Sequence, residues 1–450
     1  MKTDALEKPP VPSISRLLTV AAALALAACA HRQPRVLYDR AGGVETFDAA
    51  WRIVHESYFD TAFGGVDWVA LRDSLRPSAE RARNLTELRG VVETMLDRLG
   101  RSHLMLIPRE LSDSADRTGD VLRGSVGMDV RLLGERMVVT RVDSGGPATR
   151  AGVRPGWILV TVGRDRVEAI VRRARARPST FRIETEAWGS VTGRLLAPPD
   201  STVEVGLLDG AGRPVRLRLV SVVSPGEPVR LGGLPTVFLR FEKERRAGPS
   251  GTSVGVLRFN AWMAPIMRQL DAAVDSFRTM DGIVLDLRGN TGGLGAMISG
   301  VAGHFLERRD TLGLMRTRQT TLAIAANPRL VDTGARPVRP FAGPVAVLVD
   351  EVSASASEAF AGGMRALGRV RVFGHRSMGA VLGARWDRLP NGDQLYHAVM
   401  AFDTRGTSLE GTGVVPDEPV AVTREDLLAG SDPVLEAAIR WIATQRRGAR

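Results

Sequence analysis

The sequence predicts a mixed α/β protein, with a helical region first, a strand-rich middle region next and a C-terminal α/β layer last. From about residue 230 onward, buried strand runs alternate with helical patterns, as in Val254–Phe259 followed by a helix over 263–278. Such alternation is typical of an α/β layer. Apolar residues recur at helical spacing from Thr46 to Leu99, whereas residues 124–168 contain short strand runs. A chain of 450 residues is long enough for two or three such domains.

The basic residues are almost all arginine. Of the 61 Lys and Arg residues, only Lys2, Lys8 and Lys243 are lysine, and the formal net charge is +11. This charge is spread along the chain, and aromatic residues make up only 5% of it. The basic patch interleaved with aromatics that marks nucleic-acid binding is therefore missing, and we expect no nucleic-acid partner.

The N-terminus predicts a lipoprotein. The apolar run over 17–28 is shorter than the roughly 20 residues of a transmembrane helix and has the length of a signal-peptide core. The only cysteine, Cys29, ends the stretch Leu26-Ala27-Ala28-Cys29, which resembles a bacterial lipobox. Acylation of Cys29 would anchor the protein to a membrane. We expect the periplasmic side of the bacterial envelope, and Ala30 after the cysteine favours the outer membrane over the inner one.

The middle region resembles a bacterial PDZ domain. Its segment Pro147–Trp157 reads as the short helix and turn that precede a strand in that fold. The resemblance implies that the N–H groups of Val126, Gly127 and Met128 capture the terminal carboxylate of a peptide, which would pair with the following strand. Residues 169–195 read as a helical insertion in this domain. A PDZ fold kept only as a structural lid is the alternative.

Two loops of the α/β layer carry the candidate chemistry. The strand run Pro344–Asp350 leads through several serines into a helix. A serine at such a turn exposes its hydroxyl beside the first N–H groups of the helix, where an oxyanion is stabilised. A serine-rich helix cap is the alternative reading of this segment. The run Gly282–Leu287 ends in the glycine turn Gly289–Gly293, whose backbone can approach a ligand closely.

Together the two loops resemble the C-terminal processing (tail-specific) serine peptidase family, whose wider group includes the tricorn-core peptidases. The motifs that carry the resemblance are DLRGNTGG at 286–293, SASASE at 353–358 and the closing motif LEGTGVVPDEPV at 409–420. The resemblance covers about residues 46–440 and implies a crotonase-like α/β core. It makes Ser355 the nucleophile, and it implies an oxyanion hole formed by the N–H of Ala356 and that of Gly292 or Gly293.

This chain departs from the tail-specific branch at the general base. Where that branch has a lysine, this chain has Ala380, and Lys243 lies between two glutamates in a segment that reads as a solvated loop. An ammonium between two carboxylates is a poor base. The pair Ser102-His103 resembles that of the tricorn-type branch, in which the histidine is the base and the serine orients it.

The other histidines are expected to have no catalytic role. They are His31 in the tether, His55 in the first helix, His304 and His397 in core elements, and His375 at a position that the family fills variably. The base also needs an acid that orients it. The resemblance implies Glu410, acting through Ser102. Glu358, expected to cap its helix, and Asp417, expected to fix a turn, are the alternatives.

The sequence thus predicts a lipid-anchored serine endopeptidase that cleaves proteins or peptides through an acyl-enzyme, with no metal or cofactor. Two alternatives remain. One is an inactive, peptidase-like binding protein, suggested by the missing lysine. The other is a crotonase-type acyl-CoA enzyme, which the signal segment and the PDZ-like domain argue against. The predicted organisation is a signal peptide (1–28), a tether (29–45), a helical domain (46–118), a PDZ-like domain with an insertion (119–228) and a peptidase core (229–450).

Overall fold

The computed structural model describes residues 39–110, 124–176, 182–230 and 236–448. The signal segment, Cys29 and most of the predicted tether lie outside these residues. Among the helices of the described ranges, none is long and apolar enough to cross a membrane.

Helices form the N-terminal region. They are α1 (Arg40–Ser57), α2 (Trp68–Arg81) and α3 (Leu85–Asp97). Helix α1 begins inside the predicted tether because the Asp39 carboxylate accepts the N–H groups of Ala41 and Gly42, which caps the helix. Residues 40–45 are therefore helical.

The core of the helical region continues into the C-terminal half of the chain. Strand β1 (Met105–Ile107) pairs with a strand over Gln394–Thr404. Buried side chains of the helices, such as Phe47 and Val92, share one hydrophobic cluster with Leu395. The helical region is thus packed against strands of the C-terminal half, and it holds the segment after α3 close to them.

The middle region is an antiparallel sheet with helices. Its central sheet has the order β3-β4-β5-β7-β8. In β3 (Met128–Leu133) the side chains alternate, so that Val130 is buried in the core of the middle region and Arg131 lies on the opposite face, against the α/β layer. The elements are β2 (Gly124–Ser125), β3 (Met128–Leu133), β4 (Arg136–Val142), α4 (Pro147–Arg150), β5 (Ile158–Val162), β6 (Asp165–Arg166), α5 (Val167–Ala176), α6 (Ile183–Leu195), β7 (Thr202–Leu208), β8 (Pro214–Val220), β9 (Val222–Val223) and β10 (Glu227–Val229).

The α/β layer follows, with a predominantly parallel sheet at its centre. The sheet order is β12-β13-β14-β17-β18-β22, and neighbours from β13 onward run parallel. The elements are β11 (Val237–Leu239), β12 (Phe241–Ala247), β13 (Ser253–Phe259), α7 (Ala264–Phe277), β14 (Gly282–Asp286), α8 (Met297–Gly303), β15 (Asp310–Arg316), β16 (Thr321–Ala326), β17 (Val345–Val349), α9 (Ala356–Ala366), β18 (Arg371–Gly374), β19 (Gly383–Arg388), β20 (Gln394–Thr404), β21 (Thr407–Ser408), β22 (Glu418–Pro419), α10 (Arg424–Ala429) and α11 (Pro433–Gly448).

The central strands β14 and β17 are apolar except for Asp286 at the end of β14, because helices cover both faces of the sheet. Strands β14 and β17 are buried throughout. Side chains of α7, α8 and α9 form a cluster with one face, and side chains of α11 form a cluster with the other. The loops after β14 and β17 therefore meet at the same edge of the sheet, where the glycine and serine motifs lie.

Lys243 lies on an edge strand, so the predicted loop is wrong here. It belongs to β12, which pairs antiparallel with β13, and Lys243 is in register with Leu257. All residues of β12 after Phe241 are exposed. An exposed edge strand rich in charge shows the same sequence pattern as a loop, and charges there protect the sheet edge from further pairing.

A second sheet lies beside the nucleophile helix. Its order is β1-β20-β15-β16, with β19 on the other edge of β20. Strand β1 comes directly after the Ser102-His103 pair, so this sheet carries the predicted base. Helix α9 packs against β15 and β20, which brings the base and the nucleophile motif to one side of the molecule.

Candidate active site

Ser355 lies at the sharp turn between β17 and α9. Its backbone has φ 54° and ψ −116°, a region that residues other than glycine rarely adopt and that is held by the surrounding structure. Its N–H lies 2.8 Å from the carbonyl oxygen of Ala380 and 3.1 Å from the Glu358 carboxylate. The side chain is half-buried at the start of the helix. The turn thus presents a serine hydroxyl at a helix N-terminus.

The glycine turn after β14 touches the serine turn. A Cβ on Gly292 would lie 2.6 Å from the Cβ of Ser355 and 3.1 Å from the nitrogen of Ala356, and its φ is 99°. Only glycine allows both the backbone conformation and this close approach. The two loops therefore form one site.

The backbone N–H groups at this contact differ in their partners. Ala356 is the first residue of α9, so its N–H has no acceptor within the helix. The N–H of Gly292 donates to the side-chain oxygen of Asn290 at 2.9 Å. The carbonyl of Gly292 accepts the N–H of Trp262, and the N–H of Leu294 donates to the carbonyl of Trp262. The N–H of Gly293, between these two residues, therefore points away from Trp262. No acceptor for the Gly293 N–H is found among the described residues.

His103 is joined to Glu410 through the hydroxyl of Ser102. The Ser102 Oγ lies 2.7 Å from His103 Nδ1 and 3.0 Å from Glu410 Oε2, and the Ser102 N–H donates to Glu410 Oε1 at 2.8 Å. Ser102 is buried, while His103 and Glu410 are half-buried. His103 has φ 59°, which is also strained for a residue other than glycine.

The chemistry of this relay assigns the tautomer of His103. A hydroxyl carries one proton, and an ionised carboxylate can only accept. The Ser102 hydroxyl therefore donates to Glu410 and accepts from His103, so the proton of the neutral imidazole lies on Nδ1. The other ring nitrogen, Nε2, is left as a free proton acceptor.

A loop from Ser377 to Val381 links the relay to the nucleophile turn. The N–H of Val381 donates to Glu410 Oε2 at 3.0 Å, and the carbonyl of the preceding Ala380 accepts the N–H of Ser355. The structure records no hydrogen bond between the Ser355 hydroxyl and the His103 ring. Ser355 and Glu410 are nevertheless anchored to two consecutive residues of one loop, Ala380 and Val381.

Glu358 fixes that loop from inside the protein. Its carboxylate is fully buried and accepts the N–H groups of Gly379 (2.6 Å) and Ala380 (2.8 Å) and the hydroxyl of Ser377 (2.5 Å), besides the N–H of Ser355. Burial raises the pKa of Glu358 to about 7. Glu358 therefore caps α9, as expected from the sequence, and also holds the segment at which the tail-specific branch has its lysine.

Burial also sets the proton affinity of His103. It lowers the pKa of His103 to about 4, because the charged imidazolium loses hydration in this site. At neutral pH the ring is therefore neutral, which is the form that a general base requires.

The other described histidines contact groups that do not belong to the relay. His304 Nε2 and His397 Nε2 each lie 2.7 Å from an aspartate, His55 is stacked between Trp51 and Phe63, and His375 is 52% exposed near Glu351. His31 lies outside the described residues. Asp417 bonds to Arg365 and to the N–H of Val372 and has no contact with the relay.

Asp350 is a site residue that the sequence analysis missed. Its Oδ1 accepts the N–H groups of Gly289 (2.9 Å), Val352 (3.1 Å) and Ser353 (3.0 Å), which ties the glycine turn to the nucleophile turn. Its Oδ2 accepts from Arg131 of the middle region at 3.0 Å. Burial acts to raise the pKa of Asp350, but the Arg131 guanidinium and the Gly289 N–H hold it below its usual value. An aspartate at the end of a buried strand, before a turn, was the available signal.

The predicted carboxylate-binding loop of the middle region lies between β2 and β3. Val126 and Met128 are buried, and Gly127 has φ 74°. The N–H of Gly127 donates to the hydroxyl of Ser125 at 2.9 Å, and the carbonyl of Gly127 accepts the N–H of Asp143. In the part of the chain that the structure describes, no group of three or more His, Cys, Asp and Glu residues has a geometry that could hold a metal ion.

Two family models match this chain. Residues 253–420 match the model of peptidase family S41, and residues 44–97 match that of the tricorn protease C1 domain. The chloroplastic C-terminal processing peptidase of Tetradesmus obliquus is 27% identical over 82% of this chain and 76% of its own length. The tricorn protease homolog 1 of Streptomyces coelicolor is 27% identical over 88% of this chain, but the match spans only 34% of that protein.

Solved structures share the fold. The photosystem II D1 C-terminal processing protease superposes with a TM-score of 0.58 at 24% identity, over 88% of this chain and 96% of that one. Mature CPAF superposes with a TM-score of 0.60 at 13% identity, over 90% and 96%. The sequence matches and the contact between the serine and glycine turns lead to one conclusion: residues 253–420 are a peptidase family S41 domain, and the chain is a serine peptidase.

Proposed function

We propose that this chain is a lipid-anchored endopeptidase of the bacterial envelope in which Ser355, His103, Ser102 and Glu410 perform the catalysis. The hydrogen-bonded relay from Glu410 through Ser102 to His103 carries this proposal. It leaves His103 Nε2 as a proton acceptor, and the Ala380–Val381 segment ties it to the nucleophile turn.

The reaction follows from these assignments. The Ser355 Oγ attacks the scissile carbonyl carbon while its proton moves to His103 Nε2. The C–N bond of the tetrahedral intermediate then breaks, and His103 gives the proton to the leaving amine. A water molecule, deprotonated by His103, then attacks the carbonyl carbon of the acyl-enzyme. The ester bond breaks, and His103 returns the proton to the Ser355 Oγ. Glu410 holds the imidazole through Ser102 and stabilises the positive charge that it carries between these steps.

The N–H groups of Ala356 and Gly293 are the donors that we propose for the oxyanion. Gly293 is preferred to Gly292 because the N–H of Gly292 already donates to Asn290. The start of α9 adds the positive end of its helix dipole. One such donor is worth roughly 10² to 10³ in kcat.

The middle region is proposed to act as a PDZ domain that binds substrate C-termini. The loop of Val126, Gly127 and Met128 would take the terminal carboxylate, which would displace the Ser125 hydroxyl from the Gly127 N–H. Several relatives are named for C-terminal processing, which agrees with this role. A fluorescent peptide with a free apolar C-terminus should bind the Ser355→Ala protein at least tenfold more tightly than its amidated form. Equal affinities would contradict the role.

The membrane anchor is proposed from the lipobox alone. Metabolic labelling with a fatty-acid analogue should modify the wild-type protein, whereas Cys29→Ser should abolish labelling and release the protein from the membrane fraction. A wild-type protein that stays unlabelled would refute lipidation.

A serine-directed fluorophosphonate and casein hydrolysis test the catalytic assignment. Ser355→Ala should abolish both labelling and hydrolysis, and His103→Ala should reduce both by at least 10³. Lys243→Ala and His375→Ala are matched controls, because they remove the mature chain's lysine and a half-exposed histidine, and they should keep activity within about twofold. A wild-type protein that does not label would favour the inactive, peptidase-like binding protein. Retained hydrolysis in His103→Ala, with loss in Lys243→Ala, would move the base to the lysine.

A further inference from the structure

A half-exposed apolar surface lies beside His103 on the second sheet. The ring centroid of Tyr396, on β20, is 5.6 Å from that of His103. Trp386, on β19, stacks on Tyr396 with centroids 6.4 Å apart. Met105, on β1, lies opposite Tyr396 and is 47% exposed. We call Met105, Trp386 and Tyr396 the apolar platform.

The register of the strands places these three side chains on one face. Tyr396 is the direct cross-strand partner of Met105 on one edge of β20 and of Trp386 on the other. Directly opposed residues of antiparallel strands point to the same face of a sheet. The alternating neighbours Leu106 and Leu395 point to the opposite face, where they are buried in the core shared with the helical region.

The exposed parts of the platform side chains therefore do not contribute to the hydrophobic core. Isolated exposed apolar residues are common on protein surfaces, but this group is contiguous, includes two aromatic rings and touches the proposed base. Contiguous exposed apolar surfaces mark binding sites.

The roles of Ser355 and His103 fix which part of a substrate reaches the platform. His103 must deliver its proton to the leaving amine, so this nitrogen lies on the histidine side of Ser355. The carbonyl oxygen points to the other side, toward Ala356 and Gly293. The side chain of the residue that carries the leaving amine thus passes next to the His103 ring, which Tyr396 of the platform adjoins.

We infer that the apolar platform is the subsite for the first residue after the scissile bond and selects substrates with a large apolar or aromatic side chain there. This inference rests on the proposed catalytic roles of Ser355 and His103. A hydrophobic subsite of this kind discriminates between side chains by roughly 10- to 200-fold. The platform therefore determines specificity on the leaving-group side and takes no part in proton transfer.

The test compares two peptides that differ only in the residue after the scissile bond, phenylalanine or glycine. Wild-type enzyme should cleave the phenylalanine peptide with a kcat/KM at least tenfold higher. Trp386→Ala and Met105→Ser should lower this ratio below about threefold, while Ser355 should still be labelled by the fluorophosphonate, which shows that the nucleophile is intact. Tyr396→Phe keeps the ring and should keep the ratio. Leu330→Ser removes an exposed leucine that is not part of the platform and serves as the matched control.

The outcomes separate the platform from the proposed function. A wild-type enzyme that labels and cleaves without discrimination at this position refutes the platform alone. Platform variants that keep the wild-type ratio also refute it. So do variants in which only the preference for the residue before the scissile bond changes. A wild-type protein that does not label refutes the catalytic assignment, and the platform with it. Labelling that persists while the ratio falls in both variants supports the inference.

Discussion

Replacing Glu410 by glutamine tests whether the relay sets the tautomer of His103. The Glu410 carboxylate accepts three hydrogen bonds, from the N–H and hydroxyl of Ser102 and from the N–H of Val381. A glutamine keeps the shape but offers an acceptor at only one of the two positions. With its oxygen toward the Ser102 N–H, its NH₂ group would face the Ser102 hydroxyl. That hydroxyl would then donate to His103 Nδ1 and place the ring proton on Nε2, where it blocks catalysis.

The size of the effect follows from this geometry. In serine peptidases in which the acid contacts the histidine directly, the corresponding amide costs roughly 10⁴ in kcat. Here the Ser102 hydroxyl lies between the two groups and can rotate, which allows partial recovery of the correct tautomer. We therefore expect Glu410→Gln to lower kcat/KM by about 10² to 10³, which corresponds to about 3–4 kcal/mol of barrier height.

The assay is kcat/KM for peptide cleavage, together with the rate of fluorophosphonate labelling. Thermal unfolding of the variant shows whether the fold is kept, because Glu410 is only half-buried and its loss should leave the melting temperature within a few degrees. Asp417→Asn is the matched control, since it removes another acid of the closing motif that has no contact with the relay. A Glu410→Gln enzyme within about threefold of wild type, or an equal loss in Asp417→Asn, would refute the reasoning.

Further predictions concern pH, the glycine turn and the contact between domains. Because burial lowers the pKa of His103 to about 4, the base is free above that pH, so kcat/KM should rise through about pH 4 and not near 6.5; a pH profile checks this. Gly292→Ala places a Cβ 2.6 Å from that of the nucleophile and should lower labelling by at least about 10², whereas Gly295→Ala, which meets nothing within 4 Å, should not. Arg131→Ala leaves the buried carboxylate of Asp350 without its cation, so denaturant titration should show a loss of about 3 kcal/mol in stability, and activity should fall with it.

Much of the local structure could be predicted from the sequence, because it depends on short-range patterns. The strands at Ser253–Phe259 and Gly282–Asp286 lie within one residue of their predicted ends, and a helix, Ala356–Ala366, follows the serine-rich turn as predicted. Their signals are continuous apolar runs and helical periodicity, which depend only on neighbours in the chain. The same patterns failed at Lys243, because an exposed edge strand and a loop both show charged residues without apolar periodicity.

The residues of the candidate site were named from the sequence, but the contacts between them could not be. Ser102 and Glu410 are far apart in the chain, and only folding brings the carboxylate within 3.0 Å of the hydroxyl. The choice between Gly292 and Gly293 depends on which N–H already has a partner, and this is fixed by Asn290 and Trp262. The roles of Asp350 and Arg131 also depend on packing between the middle region and the α/β layer.

The sequence by itself determined the kind of chemistry available to this protein. It supplied a serine at a strand-to-helix turn, a glycine turn after a neighbouring strand, a histidine preceded by a serine, and alanine where a lysine base would lie. Tertiary structure decided how these groups act, because proton affinity and tautomer depend on burial and on hydrogen-bond partners from distant parts of the chain. Helical packing against β20 places His103 beside Tyr396 and links Ser102 to Glu410, and local sequence contains no signal for that arrangement.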